Sequence, residues 1–148
     1  MKKDESFCRK CYIDGGRTSG AVYMPEEQHW DFIHEVMRYF IVVNPLHSEE
    51  FLPVTTMEAE IIRMVLNLYN GDENACGIGT SGGTESILSA MLTYRNKAKE
   101  ERGVTQPNIV VSETAHAAFS KAGHYFGIEV RKVPVLADLR ANVPGMKN

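Results

Sequence analysis

The chain has 148 residues, 43% of them hydrophobic, and 16 lysines and arginines against 19 aspartates and glutamates give it a net charge of −3. A chain of this length buries roughly 70% of the surface its unfolded form exposes, which points to one domain or a large part of one. The interspersed charge offers no footprint for nucleic acid and no basic run for an anionic membrane, no apolar run approaches the ~20 residues of a bilayer span, and three cysteines fit a reducing compartment better than a disulfide framework.

The N-terminal residues Met1-Lys2-Lys3-Asp4-Glu5 lack the apolar core of a signal peptide, so a cytoplasmic location is expected. Cys8 and Cys11 form a single C-x-x-C with no second pair or nearby His pair to complete a zinc site, and no metal is expected. Pro25 sits where a helix starts, and Trp30, Ile33, Met37 and Phe40 repeat at helical spacing until Asn44-Pro45 stops the pattern, a helix of about eighteen residues. Thr55-Thr56-Met57-Glu58 reads as a capping box, after which Met57, Ile61, Met64 and Leu68 line one face until Gly71 supplies a stop. A Gly-rich stretch, Gly79 to Ser86, then runs into a third helix over 84–102 that ends at Gly103. The apolar runs 108–112 and 128–133 read as strands, with a helix over 115–126 between them and Gly127 as its stop. Strand, helix, strand is a βαβ unit of a parallel sheet, and two strands make neither a complete sheet nor a covered one. Residues 137–142 read as a further helix beginning.

The stretch Gly79-Thr80-Ser81-Gly82-Gly83-Thr84-Glu85-Ser86 carries the chemistry. Glycines let backbone approach a ligand, Ser and Thr add hydroxyl donors, and a helix's first turn leaves amide N–H groups unpaired at the positive end of its dipole. A phosphate fits such a cup. A nucleotide P-loop is disfavoured because Gly83, where that motif needs Lys, precedes Thr84. Gly77-Ile78-Gly79-Thr80-Ser81-Gly82 matches a dinucleotide fingerprint literally, but residues 71–76 are too polar for the central strand that must precede it. The same residues satisfy G-x-S-x-G, which makes Ser81 a nucleophile with Glu113 and His116 in the usual order of acid and base, although Asn74-Ala75-Cys76 is a poor strand for an elbow. A glycine-rich turn that only caps a helix is the plain alternative.

His116 follows the run 109–111 and so lies near the C-terminal end of a strand, the edge at which open α/β sheets bind ligands. A histidine at a helix start is nevertheless more often a cap or a surface residue. His124, His29 and His34 carry no assigned role. Asn44-Pro45-Leu46-His47 leaves an amide and an imidazole in a loop, and Tyr23 places a phenol after a flexible glycine; each alone suggests only a turn and packing.

Taken in order and spacing, Ser19-Gly20-Ala21-Val22-Tyr23, Asn44-Pro45-Leu46-His47, Thr80 to Ser86 and Ala115-His116-Ala117-Ala118-Phe119 resemble the sphingosine-1-phosphate lyase branch of the pyridoxal-phosphate group II decarboxylase family. The resemblance covers residues 16–146. It implies an α/β fold, a partial type I pyridoxal-phosphate (aspartate aminotransferase-like) large domain with N-terminal helices and an incomplete sheet. Residues 1–55 are then an N-terminal segment and helix lining the substrate site, and 56–148 the first part of the cofactor-binding domain. It further implies a homodimer with pyridoxal 5'-phosphate held by Gly82, Gly83 and Thr84, with His116 stacked on the pyridine ring. Tyr23, Asn44 and His47 would meet the phosphate of a phosphorylated sphingoid base, cleaved between C2 and C3 to a fatty aldehyde and phosphoethanolamine.

The chemistry of that family needs a lysine amine at the cofactor aldehyde and a carboxylate near the ring nitrogen. Lys97, Lys99, Lys121 and Lys132 lie in no matching context, so no catalytic residue is expected in this chain: the Schiff-base lysine belongs beyond Asn148, the chain is expected to be an N-terminal portion inactive alone, and the endoplasmic reticulum anchor of eukaryotic relatives is missing from it. Two alternatives accompany this expectation, a serine hydrolase using Ser81, Glu113 and His116, and a non-catalytic fragment that dimerises with a full-length relative.

Overall fold

The computed structural model describes residues 27–147, which fall into two compact units divided between Ala59 and Glu60. In the first unit, helix α1 runs Glu27–Phe40; the expected start at Pro25 lies outside the described residues, and the helix ends ahead of Asn44-Pro45. Its apolar stripe is only half-covered: Ile33 and Val36 are half-buried, while Phe32, Met37 and Tyr39 are exposed. The Trp30 and His34 rings stack across one turn at 5.8 Å. After α1, the Asn44 side chain accepts the Leu46 N–H at 3.2 Å and its carbonyl accepts the His47 N–H at 3.1 Å, a turn in which Pro45 supplies the fixed φ.

Helix α2, Leu52–Leu68, corrects the expected start at Thr55. The Phe51 carbonyl already accepts the N–H of Thr55 at 3.3 Å, and Pro53 occupies the first turn, where a missing N–H costs nothing. Thr55 is therefore inside the helix and its hydroxyl reaches the Ser48 carbonyl at 3.5 Å. The end of α2 is corrected as well. Asn70, with φ 55°, takes the left-handed position, and the Gly71 N–H closes onto the Leu66 carbonyl at 2.8 Å. Gly71 is required for another reason: a Cβ there would stand 2.9 Å from Ala75 Cβ.

The second unit holds helix α3 (Gly83–Arg102), strand β1 (Asn108–Ser112), helix α4 (Ala117–Phe126) and strand β2 (Glu129–Val133). Both long helices stop where glycine adopts a left-handed conformation, Gly103 at φ 67° and Gly127 at φ 64°. The strands pair in parallel, Asn108 opposite Glu129 through Ser112 opposite Val133. Met91 of α3, Ala122 of α4 and Ile128, just before β2, form the buried centre, ringed by Ile87, Leu88, Ile109, Phe119 and Phe126. Gly123 lets α4 approach the sheet, since a Cβ there would lie 2.4 Å from Val130 Cγ2 and 2.8 Å from the Ile128 carbonyl oxygen.

Residues 137–142 do not begin a helix. The Asp138 carboxylate accepts from both the backbone N–H and the guanidinium of Arg140, closing a turn that puts Leu139 at φ 65°. A four-residue helix, α5, follows at Val143–Met146, capped by Asn142. Among the described residues, no helix is long and apolar enough to cross a membrane. Cys8 and Cys11 lie outside the described residues.

Candidate functional site

The N-terminus of α3 is built by residues that a helix start does not otherwise require. Gly82 is the N-cap and has φ 152° and ψ 178°, a conformation open to glycine and strained for other residues. It provides no side-chain cap. Helix bonding begins with the Ser86 N–H donating to the Gly82 carbonyl at 3.1 Å, which leaves the amides of Gly83, Thr84 and Glu85 without intrahelical acceptors. Around them, Thr80 Oγ1 and Ser86 Oγ lie 2.7 Å apart, and both stand over the Gly82 carbonyl oxygen, at 3.3 and 3.2 Å.

One feature of the start escaped the sequence: the Ser81 N–H donates to Glu85 Oε2 at 2.6 Å. The Ser81 hydroxyl and then its amide hold the Glu85 carboxyl below the usual carboxylate range. The Gly82-to-Glu85 spacing is that of a capping box with glycine in place of Ser or Thr, and this was the available signal. Glu85 reaches one residue further back than that motif predicts.

The cup fits a phosphate monoester. A Cβ built at Gly82 or at Gly83 meets no atom within 4 Å, so packing within the chain does not explain the second glycine. Gly83 is the first residue of α3, directly after the N-cap, a position where a helix does not itself call for glycine. The free amides and the Thr84 hydroxyl form a donor set suited to an anion such as a phosphate.

His116 is the N-cap of α4, and its Nδ1 accepts the Ala118 N–H at 3.1 Å. The plain expectation of a cap is thus the geometry observed, and the ring itself stays exposed. This bond fixes the tautomer: with Nδ1 as acceptor, the neutral ring carries its proton on Nε2. The β1–α4 loop that presents His116 is tied to the segment after β2, because the Glu113 N–H donates to the Val133 carbonyl at 2.9 Å and Glu113 Oε1 accepts the Val135 N–H at 3.0 Å.

These partners bear on the serine hydrolase alternative. A Ser81–His116–Glu113 triad needs a proton on the imidazole nitrogen that faces the carboxylate, with the other nitrogen free for the serine. Here Nδ1 is held by a backbone donor and Glu113 by Val135. The three residues are engaged separately.

The remaining site residues are placed as follows. Asn44 and His47 bracket the turn after α1, both exposed, with the Asn44 amide nitrogen free of the bond its oxygen makes. Tyr23 lies outside the described residues. All four lysines considered are surface groups: Lys97 lies 3.8 Å from Glu101, Lys121 sits over the Tyr125 ring at 5.4 Å, and Lys99 and Lys132 are exposed on α3 and β2.

Residues 25–145 match the family described as the pyridoxal-dependent decarboxylase conserved domain. The chain is 50% identical over 120 residues to the sphingosine-1-phosphate lyase of Drosophila melanogaster, covering 81% of this chain and 22% of that protein. It is 44% identical over 132 residues to the mouse sphingosine-1-phosphate lyase 1, covering 89% of this chain and 23% of that protein. The solved sphingosine-1-phosphate lyase of Burkholderia pseudomallei superposes with a TM-score of 0.74 at 38% identity, over 84% of this chain and 30% of that one. The chain thus spans under a third of the length of each of these relatives.

Proposed function

Because the chain belongs to the pyridoxal-dependent decarboxylase family, we propose that it forms the cofactor-phosphate cup and the ring-facing histidine of a pyridoxal-phosphate carbon–carbon lyase acting on phosphorylated sphingoid bases. Its fold is part of the type I pyridoxal-phosphate architecture. One observation carries the site assignment: the free amides and unfilled space at Gly82 and Gly83, at the head of α3, in a chain half identical to a sphingosine-1-phosphate lyase.

The roles follow from the donors. The Gly83 and Thr84 amides and the Thr84 hydroxyl bind the cofactor phosphate, with the helix dipole favouring its negative charge. The aromatic plane of His116 lies against the pyridine ring and restrains its tilt, while its Nδ1 anchors the imidazole to α4. Asn44, through its amide nitrogen, and His47, through its ring, hold the substrate's phosphate together with Tyr23. When bound, the cofactor supplies an electron sink for the pair released as C2–C3 breaks, leaving a fatty aldehyde and phosphoethanolamine. None of Lys97, Lys99, Lys121 and Lys132 is placed as the lysine that such chemistry requires, and a homodimeric assembly belongs to the whole lyase.

A chimera tests this. The sequence replaces the matched 120-residue section of the Drosophila lyase, and fatty aldehyde release from a phosphorylated sphingoid base is measured. Retained turnover that disappears in Gly83→Asp supports the assignment; a well-folded chimera with no turnover, or turnover indifferent to Gly83→Asp, overturns it.

A further inference from the structure

The N-cap of α3 has no side chain, its φ is 152°, and nothing packs within 4 Å of the position a Cβ would take at Gly82 or Gly83. A loop of small residues in that state is free to change shape, and a cup whose amides point in varying directions binds a phosphate poorly. Something must hold it. Two ties join the approach to the first turn: the Ser81 N–H to Glu85 Oε2 at 2.6 Å, and Thr80 Oγ1 to Ser86 Oγ at 2.7 Å. The first is charge-assisted and therefore the stronger of the two.

We propose that Glu85 is a positioning residue for phosphate capture: its carboxylate clamps the backbone of Ser81 onto the first turn of α3, so that the Gly83 and Thr84 amides stay aligned for the cofactor phosphate. The proposal rests on the assignment of that cup to pyridoxal phosphate. Glu85 does not itself touch the phosphate, because its Oε2 is already engaged by the amide that precedes the glycine pair. Its placement in the first helical turn also favours its charge, through the same dipole that attracts the ligand. A carboxylate so close to an anion site invites the opposite role, that of a resident competitor which the phosphate must displace. The two roles predict opposite signs.

Equilibrium dialysis of the full chain with pyridoxal 5'-phosphate and, separately, with unphosphorylated pyridoxal separates them. Glu85→Ala is expected to weaken pyridoxal phosphate binding about fivefold to tenfold, the usual scale for losing a capping bond, and to leave pyridoxal binding unchanged. Glu85→Gln keeps an acceptor for the Ser81 N–H and is expected to restore binding to within about twofold of the parent, a rescue that general loss of structure does not produce. Tighter pyridoxal phosphate binding in both variants makes Glu85 a competitor and overturns the proposal. Unchanged binding in Glu85→Ala overturns Glu85's role alone. A parent chain that binds pyridoxal and pyridoxal phosphate equally overturns the cup assignment and the proposal with it.

Discussion

The Nδ1 of His116 accepts the backbone N–H of Ala118 at 3.1 Å, so the imidazole proposed to meet the cofactor ring is also the cap of α4. The two duties are separable by substitution. His116→Asn keeps an N-capping oxygen and removes the ring, whereas His116→Phe keeps an aromatic plane and removes the cap. The first is expected to leave unfolding by urea within about 0.5 kcal/mol of the parent and to weaken cofactor binding. The second is expected to lose about 1 kcal/mol of stability and to retain more of the cofactor affinity. Urea titration and equilibrium dialysis on both variants check the split.

Gly83→Ala is expected to move stability and binding in opposite directions. The added methyl meets nothing, and alanine in place of helical glycine raises stability by up to about 1 kcal/mol. The same methyl occupies the space kept for the phosphate, so pyridoxal phosphate binding falls while pyridoxal binding does not. A raised urea midpoint with unaltered phosphate preference would show that the space has no ligand.

Gly123→Ala is expected to destabilise the chain by about 1–3 kcal/mol, because its Cβ arrives 2.4 Å from Val130 Cγ2. Adding Val130→Ala recovers only part of that, since the Ile128 carbonyl oxygen at 2.8 Å still obstructs the methyl. A double-mutant cycle by urea unfolding measures the coupling.

The carboxyls of Glu85, Glu129 and Asp138 are all held below their usual range, by hydrogen bonds from Ser81, Arg131 and Arg140 respectively. Each gives up its proton at a lower pH in the folded chain than in the unfolded one. Their contributions are complete above the ordinary carboxylate range and vanish as the pH falls through the depressed folded values. The urea midpoint is therefore expected to drop below about pH 4, by an amount that shrinks in high salt because the groups are exposed. Glu85→Gln removes its share of the slope.

Much of the local structure was written in short-range signals. The β-branched run 108–112 is β1, and Gly103 and Gly127 stop their helices because a left-handed residue is needed there and glycine adopts it freely. Elsewhere a correct motif lost to a stronger neighbour. Thr55 and Glu58 have capping-box spacing, yet Pro53 and the Phe51 carbonyl had already begun α2. Asn70 took the position expected of Gly71 because asparagine tolerates a left-handed backbone. At residues 137–142 the helical pattern lacked a counterweight for the Asp138–Arg140 bond, which closes a turn instead. At the cup, the small residues and the helix that follows were legible in sequence, but the reach of Glu85 to Ser81 depends on a Gly82 conformation that spacing does not specify.

The close approach at Gly123 also bears on the far end of its helix. Seven residues of α4, about 10 Å of rigid rod, separate this contact with Val130 from His116 at the helix head. The glycine acts as a fulcrum: a helix lifted there by a methyl group tilts, and the far end swings. Substitutions at Gly123 or Val130 are thus expected to shift the position of His116 as well as to loosen the helix–sheet contact.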